Sequence, residues 1–482
     1  MRMDLTVTLL LSAAVFATPA AAQPADQAAE IEQLKAQLRD LQRTVADLQQ
    51  AQAKVTPSWR GAPELSDEEA GLSFKPKGLA QFDIGHVGTP GDLSGTLGPT
   101  GTGVGLDTRD LGFNTRARRL VIGAEGSLGS GFGYNIEFNF AQAQIDYEDI
   151  ILTYQPAGSP IQVRVGNMFP LSSLETMTSS LRTSFLERAS FTDAFNYGRR
   201  LGLAVAYVDP KDVWTLSGGL FSQPINDANF NRTGWQGSLR GTYSPRLGDN
   251  RLHVGFNYQY RVNQRDAQNV RYRSRPLSQV TDQRFVDTGQ IAAQGDQVLG
   301  LELGLQARSL HLAAEGQKLW VRGYRPGRTF GGDKGVGSGT TRFYNGDPSL
   351  WGGYAEVGYY LTGETRGYRA GRWDRTKVLK PVGKDGFGAI QIIGRVDVVD
   401  LSDRVDRGSL TYPDFVNGGR QVGYQVGVNW LPIDNVRFSA NYGHVDVSGG
   451  ALSELVQSAS SEPIDRRDYG IDVIAARAQV EF

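Results

Sequence analysis

The chain has 482 residues, a formal net charge of −1, 60 glycines and no cysteine. Near-neutrality removes the basic footprint that nucleic-acid binding requires, so no nucleic-acid partner is expected. With 40% hydrophobic residues, the chain lacks the repeated runs of about 20 apolar residues that a bundle of membrane-spanning helices needs. The 50 basic residues comprise 40 Arg and 10 Lys. That bias suits planar, bidentate contacts to oxyanions, and it also suits a GC-rich genome.

Residues 1–22 read as a secretory signal peptide. Arg2 is the positive start, Leu5 to Phe16 the apolar run, and Ala20-Ala21-Ala22 the cleavage signal, which leaves Gln23 as the mature end. Residues 29–50 read as a periplasmic coiled-coil helix. Ile31, Leu34, Leu38, Leu41, Val45 and Leu48 step by 3, 4, 3, 4, 3, which is a heptad seam. A lone helix of about 22 residues is marginal in water, so partner helices are expected. Pro57 and Gly61 to Pro63 mark 51–70 as a linker.

From residue 71 the period changes to two. In 132–141, Phe132, Tyr134, Ile136, Phe138 and Phe140 alternate with Gly133, Asn135, Glu137, Asn139 and Ala141. A strand that is apolar on one side and polar on the other, repeated over some 400 residues, is the pattern of a transmembrane β-barrel. Sixteen segments fit: 75–87, 113–128, 131–144, 146–156, 160–168, 199–209, 212–222, 234–245, 250–263, 296–309, 310–323, 350–362, 386–400, 418–431, 435–447 and 469–482. The fold class is therefore an all-β barrel of 16 antiparallel strands over 71–482, preceded by the short coiled coil. An even count puts both chain ends on the periplasmic side. Short links such as Gly129-Ser130 and Pro210-Lys211 belong to that side, with 363–385 a long exception. The opposite side carries 88–112, 169–198, 223–233, 264–295, 324–349, 401–417 and 448–468, several long enough to imply a function.

Parity assigns the faces, because an Arg against lipid at mid-depth costs about 2–4 kcal/mol. In 250–261, Leu252, Val254, Phe256, Tyr258 and Tyr260 face lipid, and Arg251, His253, Asn257, Gln259 and Arg261 face inward. By this rule the lumen receives Arg119, Arg164, Arg200, Arg240, Arg251, Arg261, Arg308, Arg395 and Arg437. It also receives Glu125, Glu137, Glu302, Glu315, Glu356 and Asp397. Such groups can line a channel or pair across strands and stiffen the wall. The histidines, His86, His253, His311 and His444, have no metal-like spacing, and there is no nucleophile-elbow motif. Neither a metal, a cofactor nor catalysis is expected.

Stretches at 115–202 carry a resemblance. They are Arg116-Ala117-Arg118-Arg119-Leu120, Gly126-Ser127-Leu128-Gly129, Val163-Arg164-Val165-Gly166-Asn167-Met168-Phe169-Pro170, Phe185-Leu186-Glu187-Arg188 and Gly198-Arg199-Arg200-Leu201-Gly202. Gly427-Val428-Asn429-Trp430 and Asn435-Val436-Arg437-Phe438 add to the set. Together they resemble the phosphate-selective porins O and P of Gram-negative outer membranes. The resemblance implies a homotrimer of 16-stranded barrels, surrounded by outer-membrane lipid and lipopolysaccharide and passing small anionic solutes. It also implies that 169–198 folds into the lumen. Arg164, Arg182, Arg188, Arg199 and Arg200 are then the expected anion contacts at the constriction. Two positions depart from the family: the Lys often found after Gly-x-Phe of the fifth strand is Phe169 here, and the position after Thr178-Ser179-Ser180 is Leu181. A general porin without strong anion selectivity, or a tether acting through the coiled coil, are the alternatives.

Protein recovered from outer membranes should begin at Gln23. An intact mass that retained residues 1–22 would overturn the signal-peptide reading.

Overall fold

The computed structural model describes residues 31–45, 58–59, 62–67, 69–90, 111–225, 234–263, 269–323, 341–405, 414–450, 452–456 and 460–482. The expected signal peptide and the seam residue Leu48 lie outside the described residues. The chain separates into two units, 1–56 and 57–482. In the first, residues 31–45 are helical. Ile31, Leu34, Leu38, Leu41 and Val45 are all exposed, so the apolar seam is uncovered in the single chain.

The second unit is a closed barrel of sixteen antiparallel strands. They are β1 (Leu72–Val87), β2 (Gly112–Gly129), β3 (Phe132–Asn139), β4 (Asp146–Tyr154), β5 (Ile161–Met168), β6 (Arg200–Val208), β7 (Trp214–Phe221) and β8 (Trp235–Tyr243). The second half comprises β9 (Asn250–Val262), β10 (Ile291–Ala307), β11 (Leu310–Gly323), β12 (Ser349–Tyr360), β13 (Ala389–Arg404), β14 (Phe415–Ile433), β15 (Val436–Ser448) and β16 (Asp468–Glu481). Each pairs with its neighbours in sequence, and β16 pairs with β1 from Val473↔Val87 to Glu481↔Leu79. Gly78 and Phe482 finish the seam by exchanging two backbone hydrogen bonds of 3.0 Å.

Each expected segment contains one strand, and the larger boundary shifts have local causes. β3 stops at Asn139 because Gln142 and Ala143 take left-handed φ values of 60° and 57°. β10 starts early, at Ile291, because its first residues pair with Asn269–Val270 of the preceding loop. Part of the expected linker is also strand. β16 ends against Leu79, which leaves residues 72–77 of β1 with an open edge, and Leu65–Asp67 pair with its first three residues, Leu65 opposite Phe74. An open edge is a site for unwanted pairing, and this segment occupies half of it.

Parity holds on the wall: Leu301 is 64% exposed, whereas the adjacent Glu302 is 1% exposed. The interior is not an empty tube. Leu174, Phe191 and Phe195 from 169–198, with Tyr272, Val280 and Phe285 from the loop before β10, pack against Val298, Leu319, Leu350, Leu401 and Ile471 of the wall. Inward side chains of β8 to β16, such as Gln236, Asn257, Glu315, Asp397 and Asn429, are accordingly buried. Those of β2 to β5, such as Arg119, Glu125, Glu137, Glu148 and Arg164, are only half-buried. One half of the barrel is filled and the other is open.

Inward glycines make room for the filling. At Gly352 a Cβ would lie 2.7 Å from the Cβ of Phe191 and 3.0 Å from the carbonyl of Val398. Gly352→Leu should therefore lift Phe191 off the wall, at about the 1–3 kcal/mol of an overpacked core. The thermal midpoint of the folded, heat-modifiable band should fall; an unchanged midpoint would mean that the loop is not seated there.

Candidate functional site: the pore constriction

The segment 169–198 is held in the lumen by wall carboxylates. Ser173 caps the short helix Leu174–Met177, its Oγ accepting from Thr176 N at 3.1 Å. Glu315 of β11 accepts from the backbone N–H groups of Leu174 and Glu175 at 2.9 and 2.8 Å. Asp397 of β13 accepts from Ser190 N, where Ser190–Ala194 begins, at 2.8 Å. Acidic groups at such N–H clusters satisfy donors that a helix start leaves free.

Most lumen arginines are also anchors. Arg395 lies 2.5 Å from both Glu175 and Glu356. Arg240 pairs with Glu302 at 2.6 Å, Arg251 with Asp212 at 2.5 Å, and Arg261 with Asp296. Arg437 donates to the carbonyls of Thr183 and Ser184 at 2.7 Å. Arg182 grips Glu481 with two hydrogen bonds of 2.7 Å. Arg199 pairs with Glu148 and Asp149, Arg200 donates to the Ser222 carbonyl at 3.2 Å, and Arg164 to Gln162 at 2.6 Å. Arg308 departs from its expected place in the lumen: it is exposed in the two-residue turn between β10 and β11, with φ 51°. Its parity was that of an inner face, but the strand ends one residue before it.

A cavity of about 480 Å³ opens between the inserted segment and the wall of β2 to β5. Arg119, Arg188 and Arg199 line it, with Arg118, Glu148 and Glu187. Arg164, Arg182 and Arg200 are not part of it. Arg118 breaks parity through a β-bulge: Gln81 opposes Arg119 and Phe82 opposes Ala117, so Arg118 is the extra residue and turns inward beside Arg119. The run Arg116-Ala117-Arg118-Arg119 is the available signal, because strict alternation with Arg119 inward would put both Arg116 and Arg118 toward lipid. Arg477, also inward, was a second omission; its parity within β16 was readable.

Glu187 sits between Arg118 (2.8 and 3.0 Å) and Arg477 (2.7 Å). Burial opposes ionisation of Glu187, but these two guanidiniums prevail and hold its carboxyl well below the usual range. Arg188 differs. It donates to the carbonyls of Glu175 and Thr178 at 2.9 and 2.8 Å, and burial lowers its proton affinity from the ordinary guanidinium value. Arg119 meets only the Gln81 amide, at 3.0 Å. Among the described residues no carboxylate pairs with Arg119 or Arg188. The ring of Phe169 carries Arg199 at 4.3 Å and Arg188 at 5.6 Å, an arrangement stabilised by the ring's negative face.

The profile of the family described as phosphate-selective porin O and P matches residues 103–482. The chain belongs to that family. It is a channel of the Gram-negative outer membrane, not an enzyme. The porin is 34% identical over 443 residues to an uncharacterised protein of Caulobacter vibrioides, covering 90% of this chain and 78% of that one. It is 24% identical over 412 residues to Porin O of Pseudomonas aeruginosa, covering 81% and 86%. Among solved structures it is similar to in-vitro folded OmpT, an outer membrane protein of Vibrio cholerae, with a TM-score of 0.47 and 10% identity over 86% of this chain and 98% of that one.

Removing one partner of a buried ion pair strands the other, at about 3–5 kcal/mol. Arg395→Ala, which removes the guanidinium shared by Glu175 and Glu356 and leaves Glu356 with Arg366 as its remaining cation, should thus unfold this porin at markedly lower denaturant. Arg119→Gln should leave that midpoint nearly unchanged. Equal midpoints for the two variants would refute the division into anchors and free cations.

Proposed function

We propose that this porin passes small anionic solutes, phosphate among them, by passive diffusion through the open half of the barrel. The observation that carries the reading is the pair Arg119 and Arg188 on the cavity wall, without carboxylate partners. A partly desolvated guanidinium without a directly paired carboxylate raises the local anion concentration and replaces part of an oxyanion's hydration shell. Release remains fast because each contact is partly exposed and only a few donors are free. Arg199 adds field, although Glu148 and Asp149 offset much of it.

A second reading, a general porin, is favoured by the acids on the same wall. Glu148, Glu187 and Asp193 line the cavity with the arginines. Opposed charges in one passage would give weak selectivity. The remaining parts complete the proposal: 1–22 exports the chain, the seam of 29–50 joins three copies, and 51–70 links it to the barrel at 71–482. The outer wall contacts lipid and lipopolysaccharide. Stabilising the trimer is the role the uncovered seam supports, since such seams bury themselves against like helices; a periplasmic tether is its competitor.

The test is the reversal potential of purified protein in planar bilayers under a KCl gradient, repeated with phosphate. The expected result is anion selectivity with chloride current blocked by phosphate. Arg119→Gln combined with Arg188→Gln should lower the chloride-to-potassium permeability ratio about tenfold, the equivalent of about 1.4 kcal/mol. A weak or cation-selective potential in the unaltered protein would leave the general porin.

A further inference from the structure

Basic residues on the outer wall are confined to one place. Among the described residues of β1 to β10, no Lys or Arg occupies an outward position. On β11 and β14 three do: Lys318, Arg322 and Arg420. Burial fixes their direction. Lys318 stands between Gln317 and Leu319, which are buried inside, and Arg420 is exposed beside the buried Gln421. Arg404, the last residue of β13, is already paired with Asp465 at 3.0 Å.

Strand pairing sets the spacing. Lys318 lies opposite Trp351, Trp351 opposite Asp400, and Asp400 opposite Arg420, so the four form one row across β11 to β14. At about 4.8 Å per strand, the Cα atoms of Lys318 and Arg420 are about 14 Å apart. Arg322 stands four residues further along β11, about 13 Å from Lys318, with Trp320 between them on the same face. Its guanidinium lies 4.2 Å over the ring of Tyr260 and donates to the Tyr260 hydroxyl at 2.6 Å. All three cations are in the extracellular half of their strands. Among the described residues none of them makes an ion pair. The row holds one acid, Asp400, which accepts from Ser402 N at 3.0 Å; Asp347, beyond the end of β11, accepts from Gly323 N at 2.9 Å. The patch also has an edge. On β15 and β16 the extracellular half of the outer face is acidic, with Asp446 and Asp472 held to His444 at 3.2 and 2.8 Å.

A charged side chain on the lipid face is tolerated only where polar headgroups reach it. Trp320, Trp351 and Tyr260 mark that level, because such rings collect at the boundary between hydrocarbon and headgroups. Cations serving only to keep the rim wet would be spread around it. These are gathered on one face, unpaired, at the depth of the outer-leaflet headgroups, and they call for a lipid of opposite charge. Three cations spread over about 13–14 Å match several separated anionic groups on one headgroup better than the single phosphate of a phospholipid. Below the row, the exposed Val357, Val396 and Val426 give acyl chains an apolar wall.

We propose that Lys318, Arg322 and Arg420 dock a lipopolysaccharide molecule of the outer leaflet, with its headgroup phosphates on the cations and its acyl chains along β12 to β14. Guanidinium forks take two oxygens of one phosphate, and the Lys318 ammonium adds a point charge. The site lies on the outside of the barrel and does not depend on which solute the pore passes.

The test is native mass spectrometry of the full-length porin, purified in neutral detergent and titrated with phosphorylated rough-type lipopolysaccharide. Lys318→Gln combined with Arg420→Gln should weaken binding about a hundredfold, one tenfold step for each charge-assisted contact. The heat-modifiable band and the conductance should stay as they are. Lys318→Arg combined with Arg420→Lys should keep the affinity within about threefold, since the charges remain. Lipopolysaccharide stripped of its phosphates should bind the unaltered protein as weakly as the intact lipid binds the double Gln variant. Unchanged affinity in the double Gln variant overturns the proposal. So does equal binding of the dephosphorylated lipid, or of phosphatidylglycerol. A lipid-free double Gln variant that loses its oligomeric state would also overturn it, because the face would then meet a second copy of the chain. Conductance read in the same variants keeps failure here separate from failure of the anion-pore reading.

Discussion

Hydrocarbon offers the backbone no hydrogen-bonding partner, so a sheet that crosses a bilayer must close on itself. Here closure falls to β1 and β16, joined by the paired backbone groups of Gly78 and Phe482 and, inside, by the bidentate contact of Arg477 with Asp83 at 2.6 and 2.7 Å. Once the ring is closed, parity is enforced on every strand, because the outer face has only lipid to meet. The inner face then inherits the polar half of the sequence. A sixteen-strand ring is wider than its own inward side chains can fill. What fills the remainder is the chain itself, entering as 169–198 from one side and, from the other, as a hairpin of Gly367–Arg369 and Arg372–Asp374 whose Gly371 carbonyl accepts from Arg240.

Filling half a barrel changes what a charge means. In the packed half a lone charge loses its hydration, and several kcal/mol are lost unless a partner compensates. That is why Glu315 and Asp397 meet backbone N–H groups and Arg395 meets two carboxylates. These groups specify where the inserted segment sits. In the open half, water reaches the side chains and the constraint relaxes. Arg119 and Arg164 keep neutral partners there.

That distinction was not readable from the chain. Period two located all sixteen strands, since lipid punishes each error separately, and the long 169–198 interval announced an insertion. Parity points Arg240, Arg251 and Arg261 inward, and all three are buried. It failed where the backbone leaves strict alternation: at the bulge that turns Arg118 inward, and at the turn that takes Arg308. Partners were harder still. Arg182 and Glu481 are 299 residues apart in sequence, and only the folded insertion brings them together. The hairpin at 367–374 was hidden for a different reason: its location in an otherwise short-turn side marked it as an exception, and nothing in its composition said that it points inward.

Phe169 shows how a local departure can be absorbed. It stands where the resemblance leads one to look for a lysine, and its neighbour Met168 is buried with Leu171 and Phe221. A cation at 169 would have been one mobile ammonium. The phenyl ring instead supports two guanidiniums, Arg199 and Arg188, each with further anchors, Asp149 for one and the carbonyls of Glu175 and Thr178 for the other. The charge that the position lacks is supplied from its faces. Because Arg199 is largely offset by its carboxylates and Arg188 is not, the exchange leaves about one effective cation in a more rigid frame with a planar donor. A planar fork is matched to two acceptor oxygens on one group, which an ammonium, a point charge, is not.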